Sequence, residues 1–194
     1  NSSNNGGSIK ILGNRIALKG DAEVSTSGAN SGGEILIGGN YLGRGPEPNA
    51  SAVVIVEGAE ITADATNSGD GGRVIVWSDD YTNFSGLISA KGSSDGNGGF
   101  VETSSKNVLQ VFGSVDAGGG ISAGEYVLDP ANVTISSDGS SSLGTGTTIQ
   151  FDPGGTGTTL LASSVKTALA NSNVIIGTLN NDVSDVGTIT LNAA

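Results

Sequence analysis

Two adjacent carboxylates, Asp79 and Asp80, are the best candidates for acid–base chemistry in this chain. Pairs of carboxylates cleave glycosidic bonds in many enzymes, including some that act on polysaccharides. Neighbouring residues of a strand point to opposite faces, so these two would converge only if a turn redirected one of them. The chain contains no histidine, which removes the usual general base. We therefore interpret the pair as a solvated turn after Trp77 and predict that the chain is not an enzyme.

Two turns rich in glycine and aspartate, at 68–72 and 94–99, suggest calcium loops at first sight. They lack the regular Gly-Gly-x-Gly-x-Asp nonapeptide that builds calcium-binding β-rolls. Aspartate and asparagine commonly cap backbone groups in turns, where glycine supplies positive φ. The chain also has no cysteine, which excludes thiolate zinc sites. The sequence thus predicts structural turns, with no metal site and no cofactor.

A third candidate site is a strip of aromatic side chains that could stack on a sugar. Aromatic rings combine a large apolar surface with a specific stacking geometry, and they serve equally well as packing inside a coil. We favour packing over a sugar-binding strip for these five residues: Tyr41, Trp77, Tyr81, Phe84 and Phe100.

The charge of the chain limits its partners. Nineteen acidic and eight basic residues give a formal net charge of −11. Such a chain is repelled by the phosphates of nucleic acid and by anionic membrane surfaces. No apolar run is long enough to cross a bilayer as a helix. We predict no nucleic-acid partner and no membrane insertion, and we attribute the acidity to solubility.

A repeated sequence motif marks the elements that would position these residues. The motif is a glycine pair followed by a short strand of alternating apolar and polar residues. The clearest copy is Gly-Gly-Arg-Val-Ile-Val-Trp at 71–77. The second glycine recurs at 7, 33, 72 and 99, and a single-glycine copy begins at 124, which gives steps of 26, 39, 27 and 25. A fixed period in this range is typical of stacked repeats.

One step is long because of an insertion at 39–51. Its 13 residues reduce the step of 39 to 26, in line with the others. The insertion contains Pro46 and Pro48, and proline cannot donate to a sheet ladder. We predict that this segment bulges out as a loop, on which contacts with a partner could lie.

Columns of equivalent residues strengthen the case for stacking. Ile61, Ile88 and Val115 are 27 residues apart, and each is followed two positions later by alanine. Val24 lies 37 residues before Ile61, with threonine in place of alanine. A column of this kind packs a narrow interior in register. Pairs assigned to the second strand of successive coils are Ile16 with Leu18, Val54 with Val56, Thr82 with Phe84, Leu109 with Val111, and Val133 with Ile135.

These patterns predict an all-β fold, a right-handed parallel β-helix with three short strands per coil of 25–27 residues. A β-sandwich would also have short strands and glycine turns, but it needs no such columns.

Regular coils are predicted over 1–136, with the inserted loop at 39–51. Residues 137–194 are predicted to form an irregular continuation or cap, with a loop over 137–148 and a short helix near 160–170. The helical spacing is carried by Leu161, Val165, Ala168 and Leu169, and later strands are expected at Val174 with Ile176 and at Ile189 with Leu191.

Several phrases, in order, resemble the filamentous haemagglutinin family, the large exoproteins of bacterial two-partner secretion. They include Leu-Ile-Gly-Gly-Asn-Tyr at 36–41, Gly-Asp-Gly-Gly-Arg-Val-Ile-Val-Trp-Ser-Asp-Asp at 69–80 and Leu-Asp-Pro-Ala-Asn-Val-Thr-Ile at 128–135. The resemblance extends over 35–135. It implies a right-handed β-helix, export through an outer-membrane transporter as partner, and a rod-like adhesin or toxin-delivery stalk at the cell surface.

The resemblance does not extend to the family's secretion domain with its Asn-Pro-Asn motifs, since the only Pro-Asn is Pro48-Asn49 in the insertion. The chain begins with asparagine, and we expect it to be part of a longer protein. We expect a secreted adhesive shaft that presents a binding or effector region to a receptor or glycan on a host or neighbouring cell. The alternative is a fibre subunit that self-associates end to end through unpaired strands. A polysaccharide-degrading enzyme is the third hypothesis.

Overall fold

The computed structural model shows a chain wound into a parallel β-helix, and it describes residues 4–137, 158–178 and 188–192. Short alternating runs form the strands, and glycine-rich turns separate them. The described elements, in chain order, are β1 (Ser8–Ile11), β2 (Arg15–Leu18), β3 (Glu23–Ser25), β4 (Glu34–Ile37), a 3-10 turn (Tyr41–Gly43), β5 (Ala52–Ile55), β6 (Glu60–Thr62), β7 (Arg73–Ser78), β8 (Tyr81–Phe84), β9 (Leu87–Ser89), β10 (Phe100–Ser105), β11 (Val108–Val111), β12 (Ser114–Asp116), β13 (Gly124–Leu128), β14 (Val133–Ser136), β15 (Thr159–Leu161), α1 (Ala162–Leu169), β16 (Ser172–Ile176) and β17 (Ile189–Asn192).

The strands form three parallel sheets. The first sheet has the order β1-β4-β7-β10-β13-β16, the second β2-β5-β8-β11-β15-β14-β17 and the third β3-β6-β9-β12. Each of the first four coils therefore gives one strand to each sheet, and its neighbours in a sheet are the equivalent strands of adjacent coils. The predicted all-β parallel β-helix, with three strands per coil, is confirmed.

The interior is built from the columns that the sequence predicts. Ile88 pairs in register with Ile61 on one side and with Val115 on the other. Val24 continues the column by pairing with Ile61. These four side chains are buried, and so are the alanines two positions after Ile61, Ile88 and Val115. Each such side chain removed from water stabilises the stack by roughly 1.5–3 kcal/mol.

Glycines form a second column where the chain turns from the third sheet into the first. The backbone N–H of Gly72 donates to the carbonyl oxygen of Ala63 at 2.7 Å. A Cβ at position 72 would lie 2.2 Å from the carbonyl oxygen of Gly33 in the preceding coil. Position 99 repeats this relation, with its Cβ 2.2 Å from the carbonyl oxygen of Gly72. Glycine recurs here because the backbones of adjacent coils meet too closely for a side chain.

The second strand of the second coil corrects a prediction. The sequence pattern predicts that Val54 and Val56 are the equivalents of Ile16 and Leu18. In the structure, Ile16 pairs with Val53 and Leu18 pairs with Ile55. Val53 and Ile55 point into the core, and Val54 packs on the outer side. The assignment was wrong by one residue because every side chain of β5 is apolar and buried, so the run has no alternation to read.

The fifth coil corrects a second prediction. Val133 and Ile135 were expected to pair beside the fourth coil, but β15 occupies that place and pairs with β11 through Val111 and Leu160. β14 lies beyond it, with Ile135 paired to Leu160. Leu160 is fully buried and extends the inward column of the second sheet. The chain therefore places a later strand between two earlier ones.

The predicted short helix is present as α1, which contacts β12, β15 and β16. Its buried residues are Ser164 and Ala168, and Leu169 is 59% exposed, so the predicted apolar face is only partly correct. β16 and β17 confirm the two later strands, whereas the predicted loop over 137–148 lies outside the described residues except at its first position. Among the described residues, no helix is long and apolar enough to span a membrane.

Candidate functional site

The outward side of the first sheet carries an unusual buried column. Ile75 pairs in register with Leu36 in one neighbouring strand and with Glu102 in the other. Strand alternation turns these three side chains away from the core, yet each is at most 1% exposed. A polar outer face would need no cover, but an apolar one does. The cover is the insertion loop, residues 39–51.

The insertion loop lies flat against the strands and does not bulge out as predicted. The ring of Tyr41 meets that of Phe100 edge-on, with 5.5 Å between centroids. Gly43 sits directly on Trp77, since a Cβ there would be 2.5 Å from the indole ring. Trp77 is consequently only 5% exposed. The loop folds inward because Leu36, Ile75 and Trp77 form an apolar cluster that it removes from water.

Polar side chains fasten the insertion loop at its base. Lys10 Nζ forms an ion pair with Glu47 Oε1 at 2.7 Å, and Asn40 Nδ2 donates to Glu47 Oε2 at 2.7 Å. These hydrogen bonds lower the pKa of the Glu47 carboxyl to about 2. Asn49 Nδ2 donates to the carbonyl oxygen of Gly43 at 3.1 Å and to Asp79 Oδ1 at 3.0 Å. The loop is thus tied to strands on both sides of its path.

Glu102, on the outward side of β10, holds the middle of the insertion loop through a backbone hydrogen bond. The backbone N–H of Leu42 donates to both carboxyl oxygens, at 3.3 and 3.2 Å. Leu42 holds a left-handed backbone conformation, φ 55°, which is rare for a residue other than glycine. Burial has the largest effect on the pKa of the Glu102 carboxyl and raises it; the charge of Asp129 raises it too, while Ser104, the N–H of Leu42 and Arg73 lower it, and the net pKa is about 7.

Arg73 contacts two rings, that of Tyr41 in the insertion loop and that of Phe100 in β10. Its guanidinium carbon lies 5.3 Å from the centroid of Tyr41 and 4.9 Å from that of Phe100. Its Nε is 3.8 Å from Glu34 Oε1. Tyr41 is 37% exposed, so this group reaches the surface. We call Tyr41, Arg73 and Phe100 the Arg73 cluster.

The five aromatic residues do not form a surface strip, and three of them are packed, as the preference for packing over a sugar-binding strip predicts. Only Tyr41 and Phe100 come together at the surface. Trp77 lies under the insertion loop, Tyr81 is 4% exposed, and Phe84 is fully buried in the core. Alternation alone could not separate these cases, because the strands bury parts of both faces.

The two candidate carboxylates, Asp79 and Asp80, have separate structural partners. Asp79 Oδ1 accepts from Trp77 Nε1 at 3.3 Å as well as from Asn49 in the insertion loop. Asp80 Oδ1 accepts from Asn107 Nδ2 at 3.2 Å in the next coil. Each carboxylate therefore has its own hydrogen-bond partners, those of Asp79 in the insertion loop and on Trp77, and that of Asp80 in the next coil.

The glycine- and aspartate-rich turns link adjacent coils. Asp70 Oδ1 accepts from the backbone N–H of Asn97 at 2.7 Å and from its Nδ2 at 3.0 Å. Asp95 Oδ1 accepts from the backbone N–H of Gly69 at 3.1 Å and from Ser93 Oγ. Within the described residues, no group of three or more Asp, Glu, His or Cys side chains could hold a metal ion. Each of the two aspartates caps the backbone of a neighbouring coil, and Asp95 also accepts a hydrogen bond within its own turn.

Removal of calcium should therefore leave stability unchanged. Oxygens of Asp70 and Asp95 that would serve as ligands already accept hydrogen bonds from adjacent coils. We expect the same Tm in EDTA as in millimolar calcium, measured by far-UV circular dichroism. A Tm that falls in EDTA and returns with calcium would contradict the structural interpretation of these turns.

Sequence reasoning missed Glu102 and Arg73. Both lie on outward positions of first-sheet strands, where a charged residue is unremarkable. The missing information was where the insertion loop lies, which no local pattern encodes. Comparisons with models of known protein families and with curated proteins found no match to the chain.

Proposed function

We propose that this chain is a structural and adhesive segment of a secreted bacterial exoprotein of the filamentous haemagglutinin type. The stacked coils form a rigid support, and the insertion loop with the Arg73 cluster is the surface that it presents. Support for the rigid role comes from parallel pairing that runs without a break through the first four coils in all three sheets. An outer-membrane transporter is the export partner in this proposal.

The observation that carries the adhesive role is the fixed geometry of the insertion loop. Its 13 residues interrupt the repeat in one coil, and several side chains from the strands hold it in place. A loop that served only as a connection would need no such anchors. An exposed ring, a partly buried ring and a guanidinium held beside each other fit the features that dominate recognition surfaces. We propose a receptor or glycan on another cell as the ligand.

Loss of the Arg73 side chain should weaken adhesion without loss of the fold. Hot-spot residues of this kind each contribute about 2 kcal/mol or more, so Arg73→Ala should weaken binding roughly 30-fold. The measurement is binding of the purified chain to host cells, followed by a glycan array to identify the ligand class. Lys19→Ala is the matched control, because Lys19 is an exposed cation in a turn outside this surface.

Equal binding by Arg73→Ala and wild type would contradict the proposed surface. Equal losses in Arg73→Ala and Lys19→Ala would instead indicate a general charge effect. Tm values for both variants, measured alongside, separate loss of contact from loss of structure.

A fibre that grows end to end is the second candidate, and a specific observation favours it. Within the described residues, β1, β2 and β3 each pair with a strand on one side only. Ile9 and Ile11 in β1 are only partly buried there. A row of strands of this kind can pair with a further coil, either of the same protein or of another copy. Sedimentation at rising concentration distinguishes the two functions, because a chain that stays monomeric contradicts the fibre.

A further inference from the structure

We propose that Glu102 is a proton-operated latch for the insertion loop, which leaves the first sheet when this carboxyl loses its proton. The proposal concerns regulation of the proposed adhesive surface, and its biological meaning rests on that function. The physical basis is the position of Glu102 in a buried column, paired in register with Ile75 on one side and Val127 on the other. Both of these neighbours are apolar and buried.

A protonated carboxyl suits this position and an ionised one does not. The neutral acid can accept the hydrogen bond of Leu42 through its carbonyl oxygen and leaves no net charge in the apolar column. An ionised carboxylate would be held away from water with few donors, which is unfavourable. The left-handed conformation of Leu42, φ 55°, adds backbone strain that closure of the loop must overcome.

The charged groups around Glu102 do not compensate for its burial. Asp129, which follows β13, adds repulsion and raises the pKa of Glu102. Arg73 from β7 acts in the opposite direction, but its guanidinium lies against the two rings of its own cluster and near Glu34. Ser104 and the N–H of Leu42 also lower this pKa, yet burial dominates and the value rises to about 7.

The sign of the pH dependence follows from this direction. The pKa of Glu102 is raised in the closed loop from an ordinary value of 4.5 to about 7. Protonation therefore favours closure, fully below pH 4.5, and that contribution disappears as the pH rises through about 7. Glu47 acts in the opposite sense, since its lowered pKa gives a contribution that is lost as the pH falls below 4.5 toward about 2. The insertion loop is therefore held best between about pH 2, where the contribution of Glu47 is lost, and about pH 7, where that of Glu102 is lost.

Release of the latch has a defined structural result. The insertion loop carries Tyr41 away from Arg73 and Phe100, so the Arg73 cluster separates. Trp77, the only tryptophan of the chain, becomes exposed as Gly43 lifts from its ring. The stacked coils remain, because their ladders do not depend on the loop.

Limited digestion with trypsin tests the latch without any receptor. Arg44 lies in the insertion loop, and Lys19 lies in a turn of the first coil and serves as the reference in the same digest. Cleavage at a site that opens transiently follows the open population. Between pH 6 and pH 8.5, the ratio of cleavage at Arg44 to cleavage at Lys19 should rise about tenfold in the wild type. Acrylamide quenching of Trp77 should increase over the same range.

Two variants make the test specific. Glu102→Gln keeps a neutral acceptor for Leu42 at every pH, so its cleavage ratio should stay constant and low. Glu125→Gln removes an exposed carboxylate from the neighbouring strand, and it should behave as the wild type. A constant ratio and constant quenching in the wild type would overturn the proposal, as would an equal rise in Glu102→Gln. The wild-type series and the Trp77 signal remain decisive if Glu102→Gln fails to fold. A failure here would leave adhesion through the Arg73 cluster untouched, since no ligand is present in the digest.

Discussion

Gly72→Ala should reduce the free energy of unfolding by about 3 kcal/mol. The added methyl carbon would lie 2.2 Å from the carbonyl oxygen of Gly33, 2.8 Å from its nitrogen and 2.9 Å from the Cβ of Ala63. Two of these three atoms belong to a backbone that is hydrogen-bonded into the next coil, so they cannot move aside without breaking the ladder. Urea denaturation followed by far-UV circular dichroism gives the measurement.

Gly7→Ala is the matched control for this substitution. Gly7 is the equivalent second glycine of the first coil, and a Cβ there meets no atom within 4 Å. The control should change stability by less than about 1 kcal/mol. Equal effects of the two substitutions would show that the glycine pairs serve turn conformation alone and not the close approach of coils.

Ile88→Ala should reduce the free energy of unfolding by about 4 kcal/mol. Ile88 is fully buried at the middle of the column between Ile61 and Val115, so the lost side chain leaves a cavity with well-packed walls. Because adjacent coils stabilise one another, the loss should appear as a lower midpoint of one cooperative transition.

Leu87→Ala provides the comparison within the same strand. Leu87 is 37% exposed and points away from the column, so its truncation should cost less than about 1.5 kcal/mol. A small effect of Ile88→Ala, similar to that of Leu87→Ala, would contradict a core that is packed in register. The two variants thus test the packing and not merely the hydrophobicity of β9.

The columns could be predicted from the sequence because their period is close to constant and each position tolerates few residue types. Ile61, Ile88 and Val115 are spaced by 27, so the same side of each coil is occupied in turn. The glycine pairs mark the same corner in each coil for a steric reason. Repetition turns a weak local signal into a strong one, because several copies must agree.

Two features of the fold could not be predicted from local patterns. β5 is apolar at all four positions, so the choice between Val53 and Val54 as the inward residue depends on pairing with Ile16 in the first coil. The place of β15 is defined by its pairing with β11 on one side and β14 on the other, and Leu160 alone does not encode it. In both cases the deciding contacts are distant in sequence.

The candidate site was predicted less well than the fold. The sequence identified the insertion and two of the rings that matter, Tyr41 and Phe100. It gave no reason to single out Glu102, because its buried environment exists only when the insertion loop covers β10. Burial of an outward residue depends on a segment 60 positions away along the chain, and strand alternation carries no information about it.

The interleaving of β15 between β11 and β14 has a consequence for how the chain acquires its structure. Through the first four coils each strand docks on one that precedes it, so this part can assemble progressively from its amino-terminal side. β14 has to wait for β15, whose residues come more than twenty positions later, before it has an edge to join. Closing that long connection carries a large entropic barrier, so the carboxy-terminal layers should form last and set the overall folding rate.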